Sequence, residues 1–284
     1  MYKILEKKRL ASEIVLLKIK AKEIAAKAEP GHFLIVRVDE YAERIPLTIA
    51  DYDKSKGIIT IIIQEVGFSS QQICNLKVGD EFLDVVGPLG QPISTEGYDK
   101  VVAVAGGLGA APLYPKVKSL LEHDSEVLTV LGARNEEYLI LEEDFAQLSK
   151  ELYLTTDDGS KGEQGFVTGP LEDILSKEDD IDLVIAIGPM IMMKSVAELT
   201  KEYNIDTIVS LNSLMIDGTG MCGGCRVTVG GETKFSCVDG PAFDGHLVDY
   251  DEQLRRQNLY QDYEAEAEEH SFWGDDCRVR QEES

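Results

Sequence analysis

Hydrophobic periodicity changes character near residue 98, and that change sets what the chain is able to fold into. Before it, short apolar runs such as Glu13–Ile19, Phe33–Val38 and Ile58–Ile63 are separated by the turn formers Pro30-Gly31, Lys56-Gly57 and Val78-Gly79-Asp80. Short strands at this spacing predict a small antiparallel barrel. After it, Val101–Ala105, Glu126–Leu131 and Leu183–Ile187 read as wholly apolar strands alternating with amphipathic helical stretches. Strands buried on both faces belong to parallel sheets, and the alternation predicts a doubly wound α/β domain.

The first strand of that second region runs straight into Gly106-Gly107-Leu108-Gly109-Ala110-Ala111-Pro112. A glycine turn between strand and helix lets backbone approach a pyrophosphate, which then rests on the positive helix end. The spacing is not G-x-G-x-x-G, so taken singly the turn fits mere packing equally well. Asp157-Asp158-Gly159-Ser160 and Gly188-Pro189-Met190 also follow strand ends, where doubly wound domains bind ligands.

A third region is marked by cysteine. Cys222-Gly223-Gly224-Cys225 is followed by Cys237, and Asp217 stands five positions before Cys222. Plant-type [2Fe–2S] sites use C-x4-C-x2-C with a more distant cysteine. The segment keeps that spacing, with Asp217 in place of the first cysteine. The glycines suit a loop that brings backbone N–H groups close to sulfide, often at positive φ. A zinc knuckle or three buried thiols would use the same cysteines.

Three of the chain's five cysteines lie in this loop, which fits a reducing compartment better than a disulfide framework. The N-terminus lacks the apolar core of a signal peptide, and no uncharged run is long enough to span a bilayer. A soluble, cytoplasmic protein is expected. With 28 basic and 52 acidic side chains the formal net charge is -24, which excludes nucleic-acid binding through clustered cations. Residues 249–284 carry twelve acids against four arginines, and Glu264–Glu269 reads as a solvated helix face.

Taken in order, barrel, nucleotide domain and C-terminal iron–sulfur loop resemble the ferredoxin–NADP reductase superfamily over nearly the whole chain. Within it, the chain is similar to the electron-transfer subunits of dihydroorotate dehydrogenase. It is more similar still to the small (alpha) subunits of electron-bifurcating NADH-dependent ferredoxin:NADP oxidoreductase, also called sulfide dehydrogenase subunits. Arg44-Ile45-Pro46-Leu47-Thr48-Ile49 matches the first flavin motif, Gly67-Phe68-Ser69-Ser70 the second, and Gly87-Pro88-Leu89-Gly90 the turn leaving the barrel. Gly106–Pro112 and Gly188–Met193 match the nicotinamide-nucleotide segments. Cys237-Val238-Asp239-Gly240-Pro241-Ala242-Phe243-Asp244-Gly245-His246 and the aspartate at 217 resemble the bifurcating subunit in particular, since the dihydroorotate dehydrogenase subunits carry four cysteines.

The resemblance implies an FAD-binding barrel over 1–97, an NAD(H)-binding domain over 98–211, a [2Fe–2S] subdomain over 212–248 and an acidic tail over 249–284. It implies hydride exchange between NAD(H) and FAD, single-electron exchange with the cluster, and a larger FAD and [4Fe–4S] partner that handles NADP(H) and ferredoxin in a heterodimer. FAD contacts fall to Arg44, Pro46, Leu47, Thr48, Gly67, Ser69 and Ser70. Nucleotide contacts fall to Gly106, Gly107, Gly109, Ala110, Ala111, Pro112, Arg134, Asp157, Gly188, Pro189 and Met190. Iron ligands fall to Asp217, Cys222, Cys225 and Cys237. Physical chemistry agrees with several of these: the Arg44 fork suits a pyrophosphate, and serines at a helix start suit phosphate oxygens. The competing readings are a surface salt bridge for Arg44 and an N-cap for Ser69.

Many superfamily members place a cysteine before the Gly-Pro that approaches the nicotinamide. Ile187 stands there instead, so stacking and positioning would replace a thiol. No nucleophile–base pair and no acid–base constellation is expected, because the cofactors carry the chemistry. Two other readings of the whole chain remain: the electron-transfer subunit of a dihydroorotate dehydrogenase, and a non-catalytic module with structural zinc. Cys74 is read as a core thiol, His246 as structural, and Cys277 as a surface thiol.

Overall fold

The computed structural model describes residues 2–258; the Glu264–Glu269 stretch, His270 and Cys277 lie outside the described residues. The N-terminal region is antiparallel throughout. One sheet is ordered β5 (Asp51–Asp53), β6 (Ile58–Gln64), β2 (Ile14–Lys20), β1 (Tyr2–Ala11), β7 (Glu81–Phe82). The other is ordered β4 (Ile45–Thr48), β3 (Phe33–Arg37), β8 (Asp84–Leu89). Helices α1 (Lys22–Lys27) and α2 (Phe68–Asn75) accompany them, and the two sheets enclose a core of Val15, Leu17, Ile19, Leu34, Ile59 and Ile61 among others. Cys74 is in this core, 1% exposed, and burial pushes its thiol up to about 11.

The α/β domain is a seven-stranded sheet ordered β12, β11, β10, β9, β13, β14, β17. Their ranges are β9 (Lys100–Gly106), β10 (Glu126–Ala133), β11 (Glu151–Thr156), β12 (Glu163–Gln164), β13 (Leu183–Ile187), β14 (Asp206–Ser210) and β17 (Ala242–Asp244). All pairings are parallel except β14 with β17. Alternate residues of one strand feed opposite faces. Val102 and Val104 pack toward α5 (Thr168–Lys177) and α6 (Met190–Glu202). Val101, Ala103 and Ala105 pack toward α3 (Ala110–Glu122) and Phe145 of α4 (Glu142–Leu148). That second core also takes in Ala11, Ile14, Ala50 and Ile62 of the barrel, so barrel and α/β domain share apolar packing.

The C-terminal region adds the hairpin β15 (Arg226–Val229) and β16 (Glu232–Phe235), then returns to the large sheet through β17 and ends in α7 (Tyr250–Gln257). The antiparallel edge strand β17 is absent from the sequence reading. Its three residues are too short to announce a strand, and only pairing with β14 defines it. No helix among the described residues is long and apolar enough to cross a membrane.

Candidate functional site: a flavin strand, a nucleotide switch point and a cluster loop

The first flavin motif forms β4, an edge strand, which explains how Pro46 is tolerated without its N–H. Its partner is β3, with Thr48 opposite Phe33, Leu47 opposite Leu34 and Pro46 opposite Ile35. Arg44 precedes the strand, half exposed, with Nη2 3.7 Å from Asp84 Oδ2. Asp84 is held more closely by Arg37, at 2.8 Å, so the Arg44 contact is the looser of the two. The guanidinium is free to swing toward an anion.

Gly67 opens α2, and a Cβ built on it meets nothing within 4 Å. No other part of the chain occupies the space beside it. Ser69 Oγ donates to Glu43 Oε2 at 2.6 Å, tying the second flavin motif to the residue before Arg44. Ser70 behaves as the capping residue instead: its Oγ accepts from Val66 N and Gly67 N, each at 3.0 Å, and donates to Gly67 O.

The strand order reverses between β9 and β13, the position where open α/β sheets bind ligands at the carboxyl ends of their strands. Two glycine turns meet there. Gly107 has φ +52° with open space where its Cβ would be, so it offers bare backbone to a ligand. Gly109 serves packing: a Cβ there would stand 2.1 Å from Ile187 O. Gly106 and Gly188 lie under Met192, whose Sδ would be 2.5 and 2.9 Å from their Cβ positions. Met190 is 4% exposed within the core, so its side chain faces away from this surface. Met192, within the Gly188–Met193 segment, covers the two glycines, and it differs from Met190 in helical phase against Gly188.

Farther along the same edge, Arg134 and Asp157 are exposed after β10 and β11. Ser160 joins these loops, accepting from Glu136 N at 2.8 Å and donating to Asp158 Oδ1 at 2.6 Å. Gly107, Ala110, Gly132 and Tyr138 line a shallow surface depression there.

The cluster loop arranges its donors in two pairs. Asp217 Oδ1 lies 3.5 Å from Cys222 Sγ, and Cys225 Sγ lies 3.2 Å from Cys237 Sγ. Two pairs fit a dinuclear cluster, whose irons each take two protein donors. Asp217 also accepts from Thr219 N at 3.0 Å and Cys222 N at 3.1 Å. These bonds, the Thr219 N–H first, hold its carboxyl below the usual carboxylate range. Burial, and then the neighbouring Cys225, push the Cys237 thiol up to about 12.

The buried pair packs on the barrel. Cys225 and Cys237 share one apolar cluster with Phe33, Ile35 and Met215. Phe33 and Ile35 are the β3 residues that pair with Thr48 and Pro46 of the flavin strand. Nothing in sequence spacing places residues 33 and 237 in one cluster; that grouping is a product of the fold.

The defining pattern of the iron-sulfur cluster binding domain of dihydroorotate dehydrogenase B matches residues 212–249. That of the oxidoreductase NAD-binding domain matches residues 103–198. A Thermotoga maritima homolog of the dihydroorotate dehydrogenase B (NAD(+)) electron transfer subunit is 44% identical, with 92% of each chain covered. The chain belongs to that electron-transfer subunit family. An uncharacterised Clostridium beijerinckii member, encoded in the adh 3' region, is 49% identical over 98% of this chain and 99% of its own. A solved structure of the NADH-dependent reduced ferredoxin-NADP oxidoreductase, studied for flavin-based electron bifurcation, aligns with a TM-score of 0.89. It shares 42% identity, covering 96% of this chain and 98% of that one. A ferredoxin reductase of carbazole 1,9a-dioxygenase shares the fold alone, at 17% identity and TM-score 0.60 over 72% of this chain and 65% of that one. As a family member the chain is a flavin and iron–sulfur oxidoreductase subunit of the ferredoxin–NADP reductase type, using FAD, a [2Fe–2S] cluster and NAD(H).

Proposed function

We propose that this chain is the NAD(H)-side subunit of an electron-bifurcating ferredoxin:NADP oxidoreductase and works beside a larger flavin and [4Fe–4S] subunit. One observation carries the reading: Cys225 and Cys237 pack in one buried cluster with Phe33 and Ile35 of the strand beside the flavin motif. That contact leaves little distance between a flavin on β4 and a cluster in the loop. Bound FAD would exchange a hydride with the nucleotide and single electrons with the cluster.

The division of labour among the residues follows from their positions. Arg44 offers a fork to the FAD pyrophosphate, while Pro46, Leu47 and Thr48 line the isoalloxazine edge. Gly67 leaves room for the cofactor, and Ser69 steadies the approach through Glu43. The Gly107 backbone and the first turn of α3, Ala110, Ala111 and Pro112, receive the nucleotide pyrophosphate. Gly106, Gly109, Gly188 and Pro189 shape the crossing on which the nicotinamide rests, and Met190 contributes backbone only. Arg134 and Asp157 face the adenosine end. Asp217 with Cys222 and Cys225 with Cys237 hold one iron each. In this reading residues 1–97 form the FAD domain, 98–211 the NAD(H) domain, 212–248 the cluster subdomain and 249–284 the tail. The electron-transfer subunits of dihydroorotate dehydrogenase B support a hetero-oligomer of either kind.

Purification of the untagged native complex tests the reading. Flavin bands with broad red absorbance that bleaches under dithionite, and a copurifying larger flavin and [4Fe–4S] chain, are expected. A copurifying dihydroorotate-oxidising chain, or a colourless zinc protein, would overturn it.

A further inference from the structure

The two glycines between Cys222 and Cys225 have their carbonyls held by guanidinium groups. Arg226 Nη1 donates to Gly223 O at 3.3 Å, and Arg256 Nη2 donates to Gly224 O at 2.8 Å. A trans peptide keeps C=O and N–H on opposite sides of its plane. Pulling a carbonyl outward therefore turns the following N–H inward, toward the donors of the loop. Gly224 N–H, in the peptide whose carbonyl Arg226 holds, donates to Cys222 Sγ at 3.4 Å. The next peptide, held by Arg256, carries the N–H of Cys225.

Arg256 lies in α7, beyond the segment that the cluster-binding pattern matches, and α7 is firmly seated. Gln253, 2% exposed, donates to Arg226 O at 3.1 Å and accepts from Ser213 Oγ at 3.2 Å. Asp251 pairs with Lys194 of α6 at 2.8 Å. Thr228 N–H donates to Glu252 Oε2 at 3.1 Å. The helix thus presents one guanidinium to one carbonyl at a fixed place.

We propose that Arg226 and Arg256 form a clamp that aims the Gly224 and Cys225 N–H groups at the cluster's sulfur and raises its reduction potential. Reduction adds one electron, and so one negative charge, with no bond made or broken in the protein. Cluster potentials respond to net charge and to hydrogen bonds at sulfur. Two guanidinium charges, present at any working pH, and two inward N–H dipoles all favour the more negative state. They work against the strongly acidic surface of this chain, whose formal net charge is -24. Both arginines are positioning residues, since each acts through a peptide group. The proposal rests on the cluster seat assigned above.

An EPR-monitored redox titration of the holoprotein tests it, with Arg226→Gln, Arg256→Gln and Arg256→Lys. Arg255→Gln serves as a control, because it removes the same charge from the exposed neighbouring position of α7. The Arg226 and Arg256 glutamine variants are expected to shift the midpoint to more negative values than the control does. Arg256→Lys, which keeps the charge without the fork, should recover part of the shift. Amide exchange at Gly224 should quicken in Arg226→Gln, a readout independent of turnover. Midpoints no lower than that of Arg255→Gln, with a normal cluster signal, overturn the clamp alone. A wild-type protein lacking a [2Fe–2S] signal on reduction overturns the cluster seat, and the clamp with it.

Discussion

The carboxylate of Glu137 accepts a hydrogen bond from the Ser12 backbone N–H at 2.9 Å, across 125 residues of sequence. The loop that follows β10 is thereby fastened to the β1–β2 turn of the barrel, and Tyr138 adds a 3.1 Å bond to Glu13. Glu136 and Glu137 follow Arg134 in the loop where the adenosine ribose would lie, and of these two acids Glu137 is thus turned to the barrel.

Glu136 stays exposed beside Arg134, an acid that would repel a 2′-phosphate next to a cation that would attract one. NADH should be preferred to NADPH in steady-state diaphorase assays by about tenfold or more, as one ~1.4 kcal/mol like-charge contact imposes. Glu136→Gln should narrow that ratio, while Glu137→Gln should leave it in place. A wild-type preference for NADPH would overturn the assignment.

Arg44→Ala should weaken FAD retention by roughly 1.5–3 kcal/mol, the worth of a charge-assisted contact to phosphate. Its bond to Asp84 is long, at 3.7 Å, and Arg37 remains to satisfy that carboxylate. Fold stability should therefore barely change. Equilibrium dialysis of the purified variant checks this; unaltered FAD affinity would place the pyrophosphate elsewhere.

Gly67→Ala and Gly109→Ala separate a ligand cradle from a packing glycine. The first adds a methyl in open space on extended backbone, so the apoprotein should melt normally while FAD binding falls. The second drives a methyl against Ile187 O and should cost about 1–3 kcal/mol of stability with or without ligand. Thermal melts of apo- and holoprotein distinguish them. If Gly67→Ala binds FAD normally, no ligand fills that space.

Asp217→Cys should keep a [2Fe–2S] cluster with altered EPR g-values and a moved potential, because a carboxylate is a harder donor than a thiolate. Asp217→Ala should make the cluster labile, and Cys222→Ala more so. Asp217 also caps its own turn through Thr219 and Cys222, so circular dichroism of each variant is needed beside the EPR. An unchanged signal and potential in Asp217→Cys would take the carboxylate off iron.

Lys116 is fully buried in α3, its Nζ donating to Pro112 O at 2.9 Å, and burial brings its pKa down to about 7. The unfolded chain keeps this proton up to ~10.4. Between pH 7 and that value the unfolded state binds more protons, so this residue's contribution to stability rises with pH. Lys116→Met should thus stabilise the protein more at pH 6.5 than at pH 9.5, by at most about 1.4 kcal/mol per pH unit. Urea midpoints of both proteins at the two pH values check it; an equal gain at both would refute a depressed lysine.

The sequence by itself determined the order and kind of the parts. Val101–Ala105 and Leu183–Ile187 announced buried parallel strands because their apolar runs are continuous, and Ile58–Ile63 between turn formers announced a barrel strand. Asp217, Cys222, Cys225 and Cys237 pointed to a cluster because most of the ligand spacing is local, while the same cysteines left zinc open. What only the tertiary structure decided is which of these parts touch. The shared cluster of Cys237 and Ile35, the Glu137 bond to Ser12, the addition of β17 to the large sheet and the hold of Arg256 on Gly224 all join residues far apart in the chain. Periodicity reports which face of an element is apolar, but it carries no information about which partner covers that face. The same limit applies within Gly188–Met193, where Met192 rather than Met190 covers Gly106 and Gly188: helical phase against a particular glycine turn exists only once α6 is docked.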